Sequence, residues 1–189
     1  MARTPSYMLD LGTQVPAFSL PDTSGKPVSD KDYAGSPLLV MFICNHCPFV
    51  IHVRDQLVAL GRDYLPKGLG IIAINSNDVV AHPDDSPDKM KIEKEKVGYT
   101  FPYLFDETQT IAKAFKAACT PDIYLFDKAH RLVYRGQLDD SRPSNQIPVT
   151  GKDLRGAIDA LLTGQRVPSE QKPSLGCNIK WKPGNEPRF

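Results

Sequence analysis

The apolar positions of this chain follow two rhythms, and the change from one to the other falls on a pair of cysteines. Leu38 to Cys44 is apolar without a break, as a strand buried on both faces is. From there on Phe49, Val53, Leu57, Leu60 and Tyr64 recur at steps of four and three, which puts them on one face of a helix. Pro48 suits the first helical turn, where its missing N–H costs little, and Pro66-Lys67-Gly68 ends the helix. Leu69 to Asn75 is a second buried strand, so the stretch reads as a βαβ unit with a right-handed crossover. The sequence Cys44-Asn45-His46-Cys47 then lies at the C-terminal end of the first strand, where open α/β sheets place their sites.

The flanking segments predict the rest of a single domain. Residues 1–13 carry no regular pattern, and Gln14 to Leu20 followed by Pro21 to Lys26 predicts a short strand and turn, an N-terminal β-hairpin. The polar loop Ser76 to Pro87, with His82-Pro83-Asp84-Asp85, is long for a compact domain and is expected to line or cover the site. Lys89 to Val97 has helical composition with mixed charge and reads as a solvated helix. Phe101 to Phe105 is a short extended piece. Glu107 to Ala118 is predicted as a helix with Ile111, Phe115 and Ala118 inward. Ile123 to Phe126 and Leu132 to Tyr134 form an antiparallel hairpin, making the sheet mixed, and Asp153 to Leu162 is a closing helix with Leu154, Ile158, Leu161 and Leu162 inward. The expected division is a domain over 1–164 and an irregular, extended tail over 165–189, rich in proline. That tail holds Cys177 and Trp181, which predicts that it docks on the body.

Composition narrows the function classes. With 189 residues and 41% hydrophobic content the chain can bury a core without disulfides. A net charge of +1 supplies no field for nucleic acid or an anionic membrane. No apolar run approaches the ~20 residues of a membrane helix, so the expected location is cytoplasmic. Four cysteines are too few for a disulfide scaffold, and in a reducing compartment a close pair reads as catalytic or metal-binding.

Two thiols on the first turn of a helix can close a small disulfide ring, and the helix N–H groups there favour a thiolate. The dipole contributes only about 0.3–1 kcal/mol, so Asn45 and above all His46 are candidate modulators. Cys44 is expected to attack and Cys47 to resolve, with no cofactor beyond the Cys44–Cys47 disulfide. Two plainer readings stay open: inert buried cysteines, or a metal site completed from His46, His52, Cys119 or Cys177. Cys119 and Cys177 are candidate auxiliary thiols. His82 and His130 read as solvated loop residues, His52 lies on the first helix off its apolar stripe, and Asp139 and Asp140 lie either near the site or merely in a turn.

A second motif, Cys119-Thr120-Pro121-Asp122 before the strand 123–126, resembles the thioredoxin superfamily when joined to the CxxC. Pro16 to Leu20, Cys44 to Val50, Thr120 to Asp127, Arg135 to Asp140 and Gly176 to Trp181 resemble its peroxiredoxin-like branch, the redoxin or AhpC/TSA-like proteins. The resemblance implies an α/β thioredoxin fold, a central mixed β-sheet flanked by helices. It implies that Pro121 is cis and that Thr120 and Pro121 bind an extended partner through the main chain. It implies a thiol-disulfide oxidoreductase acting on a protein or low-molecular-weight thiol partner, with thioredoxin or glutathione as electron donor. A thiol peroxidase with Cys47 as peroxidatic cysteine is the alternative. There the usual Thr or Ser is replaced by Cys44, and Arg131 or Arg135 would stabilise the attacked oxygen. A non-enzymatic metal carrier using Cys44, Cys47 and a histidine is the third class.

Overall fold

The computed structural model describes residues 3–188. Its strands in chain order are β1 (Arg3–Pro5), β2 (Ser19–Pro21), β3 (Pro27–Ser29), β4 (Leu38–Phe42), β5 (Gly70–Asn75), β6 (Tyr103–Phe105), β7 (Cys119–Thr120), β8 (Asp122–Phe126), β9 (Leu132–Arg135) and β10 (Leu175–Asn178). The α-helices are α1 (Pro48–Tyr64), α2 (Pro87–Val97), α3 (Thr110–Ala114) and α4 (Lys152–Leu162). Five strands form a mixed sheet in the order β6-β5-β4-β8-β9, parallel from β4 through β6 and antiparallel from β4 through β9. This is the thioredoxin fold.

Because side chains alternate across a strand, the central sheet separates two cores. Leu39, Met41 and Ile43 join Val50, Val53, Leu57 and Leu60 of α1 and Leu154 and Ile158 of α4 on one face, the face that also holds Cys44, Cys47 and Cys177. Leu38, Val40 and Phe42 join Phe115 and the N-terminal Val15, Phe18, Leu20 and Val28 on the other. Fully buried residues such as Leu57 and Leu60 each contribute about 1.5–3 kcal/mol of burial.

The predicted hairpin is present as β2 and β3, paired Leu20 to Val28. Three expectations change. The N-terminal stretch predicted as irregular contains β1, and the tail predicted as irregular contains β10; β10 lies between β1 and β7 in a separate three-stranded sheet. Both strands are too short to show a period of two in sequence. The helix predicted over 107–118 is only α3, because Gln109 and Lys116 adopt positive φ of 62° and 49° and the chain must then enter β7. Its inward residue is Ala112, with Phe115 and Ala117 buried just after it and Ile111 and Ala118 half-buried.

Candidate active site

The end of β4 delivers the cysteine pair under tight control. Ile43 N donates to Ile74 O of β5 at 3.0 Å, and the chain then leaves the sheet. Cys47 is the N-cap of α1 with φ −70° and ψ 121°, Pro48 follows it in the first turn, and Ile51 N donates to Cys47 O at 2.9 Å. Cys44 and Cys47 are 2% and 0% exposed.

The two sulfurs have opposite electrostatic surroundings. Cys47 is pulled down to about 5, chiefly by the hydrogen bond from Cys44, against burial, with further help from Thr120, the Cys177 thiol and the Val50 backbone N–H. Cys44 is pushed well above the ordinary thiol range by that same bond, by burial and by the charge of Asp85. The pair therefore holds one proton, and the negative charge rests on Cys47, at the helix N-terminus. One contact opposes this: Thr120 O lies 3.1 Å from Cys47 Sγ, a bond only the protonated thiol can donate. The net direction for Cys47 is nonetheless downward. The sequence pattern gave the attacking role to Cys44, without the proton inventory that separates the two.

A residue the sequence did not single out supports the other end of the pair. Asp85, wholly buried, reaches back from the loop after β5 and accepts from Asn45 N at 2.8 Å and Asn77 Nδ2 at 2.8 Å. Its Oδ2 lies 2.7 Å from His46 Nδ1, an ion-pair contact without hydrogen-bond alignment. Asn75 Nδ2 donates to Asp85 O at 2.7 Å, and Tyr103 OH donates to Asn45 Oδ1 at 3.1 Å. His46 stacks on His82 with ring centroids 5.3 Å apart, so His82 belongs to the rim of the site. The length of the 76–87 loop was the sequence signal for this wall.

The opposite wall is β7 and the turn after it. The Thr120-Pro121 peptide is cis, and Thr120 Oγ1 is 3.5 Å from Cys44 Sγ. The main-chain edge of Thr120, expected to receive an extended partner, is taken by this chain's own tail: Cys177 pairs with Thr120 and Asn178 with Cys119. Cys177 is 5% exposed, and burial together with its neighbour Cys47 pushes its thiol up to about 12. Cys119 is buried with its thiol raised by desolvation and donates to Pro121 O at 3.5 Å; it packs as a small hydrophobe.

Other candidate residues are placed elsewhere. Arg135 is 1% exposed, stands beside Tyr124 in the β8–β9 ladder on the sheet face away from the thiols, and donates to Leu9 O at 3.0 Å. Arg131 is exposed, next to the Asp127 turn. Strand alternation thus keeps Arg135 from the sulfurs, and Arg131 lies before β9, at the end of the sheet away from Cys44. Asp139 accepts Ser141 N, Thr150 N and Gly151 N at 2.8, 2.7 and 2.6 Å, pinning the loop before α4. Asp140 is held low by Lys152 and Lys172, a surface pairing. His52 Nε2 lies 2.7 Å from Ser141 Oγ and ties α1 to that same loop. His130 is buried against Tyr33 O at 3.1 Å, which replaces the expected solvated loop position. Among the described residues Cys44 Sγ, His46 Nδ1 and an Asp85 oxygen lie within 4.8 Å of one another and are the set that could hold a metal. Both Asp85 oxygens already accept donors, so a metal there must displace them.

Residues 11–135 match the AhpC/TSA family. The chain belongs to that family. It is 30% identical over 130 residues, 64% of this chain and 73% of the other, to a Mycobacterium tuberculosis H37Rv protein provisionally named a peroxiredoxin. It is 28% identical over 123 residues, 62% of this chain and 64% of the other, to the thiol-disulfide oxidoreductase ResA of Geobacillus kaustophilus. An uncharacterized conserved protein of Geobacillus kaustophilus, known from a crystal structure, is 56% identical with TM-score 0.95, covering 97% of this chain and 98% of that one. The AhpC/TSA member described here is an oxidoreductase.

Proposed function

We propose that the protein is a thiol-disulfide oxidoreductase whose working group is the Cys44-Asn45-His46-Cys47 dithiol. The observation that carries this reading is the placement of both thiols at the start of α1 against the cis Thr120-Pro121 turn, with Thr120 Oγ1 3.5 Å from Cys44 Sγ and Thr120 O 3.1 Å from Cys47 Sγ. A partner disulfide meets Cys44, which is buried directly beside the half-exposed Asn45 and His46. As Cys44 Sγ attacks, its proton passes along the hydrogen bond to Cys47; one partner sulfur bonds to Cys44 and the other leaves as thiolate. Cys47 then passes that proton to the first departed partner thiolate and attacks Cys44 Sγ, the second partner sulfur leaves as thiolate, and the Cys44–Cys47 disulfide closes. The partner gains two electrons and the pair loses them. An external donor of the thioredoxin or glutathione type returns them, in a cytoplasmic setting and with no further cofactor.

Turnover of a glutathione mixed disulfide and of insulin, each measured with wild type, Cys44→Ser and Cys47→Ser, tests the reading. Both variants are expected to fall to background; retained turnover in Cys44→Ser ends it. The peroxidase reading draws support from one observation of its own, a Cys47 thiol pulled down to about 5. On that reading Cys44→Ser consumes one equivalent of hydrogen peroxide and Cys47→Ser consumes none.

A further inference from the structure

Three of the four cysteines meet at one point. Cys177 stands opposite Thr120 in the β10–β7 pairing, the same Thr120 whose carbonyl oxygen lies 3.1 Å from Cys47 Sγ and whose Oγ1 lies 3.5 Å from Cys44 Sγ, and all three cysteines lie in one buried cluster. Cys177 does not swing into this position; it is fixed there. Ser6 N donates to Ser174 O at 2.9 Å and Ile179 N to Ala118 O at 3.2 Å, while Lys180 N donates to Asn77 Oδ1 at 2.8 Å. Gly176 permits the approach: a Cβ there would stand 2.0 Å from Thr120 O and 2.6 Å from Thr120 C, so any side chain at 176 would push β10 off β7. The tail thus lies along the strand edge as an extended partner would, with a cysteine opposite Thr120.

We propose that Cys177 is a third redox thiol, the built-in partner of Cys47, and that the oxidised protein exists with either a Cys44–Cys47 or a Cys47–Cys177 disulfide. The inference rests on the exchange reading above. In the interchange Cys177 gives up its proton and attacks Cys47 Sγ; the Cys44–Cys47 bond breaks, the Cys47–Cys177 bond forms, and the proton ends on Cys44. No electrons enter or leave. The result leaves Cys44 a free thiol beside Asn45 and His46 and ties the tail covalently to the start of α1. With a hydroperoxide the same product arises in two steps: Cys47 is oxidised to the sulfenic acid, and Cys177 condenses with it and releases water.

Wild type, Cys44→Ser and Cys44→Ser/Cys177→Ser are treated with one equivalent of hydrogen peroxide, quenched in acid, alkylated and mapped by mass spectrometry, with circular dichroism confirming each fold. The expected products are Cys44–Cys47 plus some Cys47–Cys177 in wild type, and Cys47–Cys177 as the main species in Cys44→Ser. In the double variant Cys47 is expected as sulfenic or sulfinic acid. A folded Cys44→Ser protein whose Cys47 over-oxidises while Cys177 stays alkylatable overturns the proposal. If wild type also lacks Cys44–Cys47, the exchange reading falls with it; if that bond forms normally, only the role of Cys177 is lost. Should Cys44→Ser not fold, Cys44→Ala gives the same readout.

Discussion

At the residue scale the chemistry turns on where one proton sits. Cys47 has its ordinary thiol value pulled down to about 5, so its thiolate is present above that pH and is lost as the pH falls through it. Absorbance at 240 nm of the reduced protein should therefore titrate with a midpoint near 5. Cys44→Ala removes the largest stabilising bond, and a hydrogen bond to a charged group is worth about 1.5–3 kcal/mol, so the midpoint should rise by about one to two pH units. A midpoint unchanged by that substitution would show that the helix start alone holds the charge. The CxxC and Thr-Pro were legible because each is a local string. Asp85 was not, since a buried carboxylate 40 residues from Asn45 in sequence is announced only by the length of its loop. Arg131 and Arg135 were offered as peroxide-stabilising groups because sequence does not say which side of β9 faces the thiols.

At the scale of elements the long, strongly patterned pieces were legible: β4, α1, β5 and α4 match their predicted spans to within a residue or two, since a buried strand and an amphipathic helix write their burial into their spacing. The short pieces were not. β10 has four residues and is a strand because of its neighbours, not its composition; Gly176 and Asn178 are poor strand formers. Its anchoring yields a prediction. Lys180 donates its backbone N–H to Asn77 Oδ1, and its carbonyl accepts from Asp78 N at 2.8 Å and from Gln109 Nε2 at 2.9 Å. Trypsin should therefore leave the bond after Lys180 intact under native conditions while cutting exposed sites elsewhere. Gln109→Ala removes one of these contacts together with the bond from Lys182 N at 2.9 Å, and should increase cleavage after Lys180 several-fold. Immediate cleavage in wild type would contradict a docked tail.

Across the whole molecule the site is a junction between two sheets, with the thiols at the end of the central sheet and Cys177 in the smaller one. Asp122 stands where they meet. Its carboxyl is pushed up to about 7 by burial, and it holds the turn carrying Thr120-Pro121 by accepting Ala118 N at 3.1 Å and Tyr124 OH at 3.1 Å. A carboxyl raised on folding adds stability that is fully present below its unfolded value near 3.8 and is lost as the pH rises through about 7. Melting temperature should accordingly fall between pH 4 and 7 by more in wild type than in Asp122→Asn, whose amide does not titrate. Equal slopes would remove Asp122 from the account.

The seating of β10 between β1 and β7 also has a consequence for how the protein is made. Domains assemble on the ribosome at about 5–20 residues per second, and every other strand of the fold precedes Leu175–Asn178 in the chain. The α1 thiols are thus synthesised before the strand that covers them. Their cover is complete only once that last strand has been made and has docked between β1 and β7.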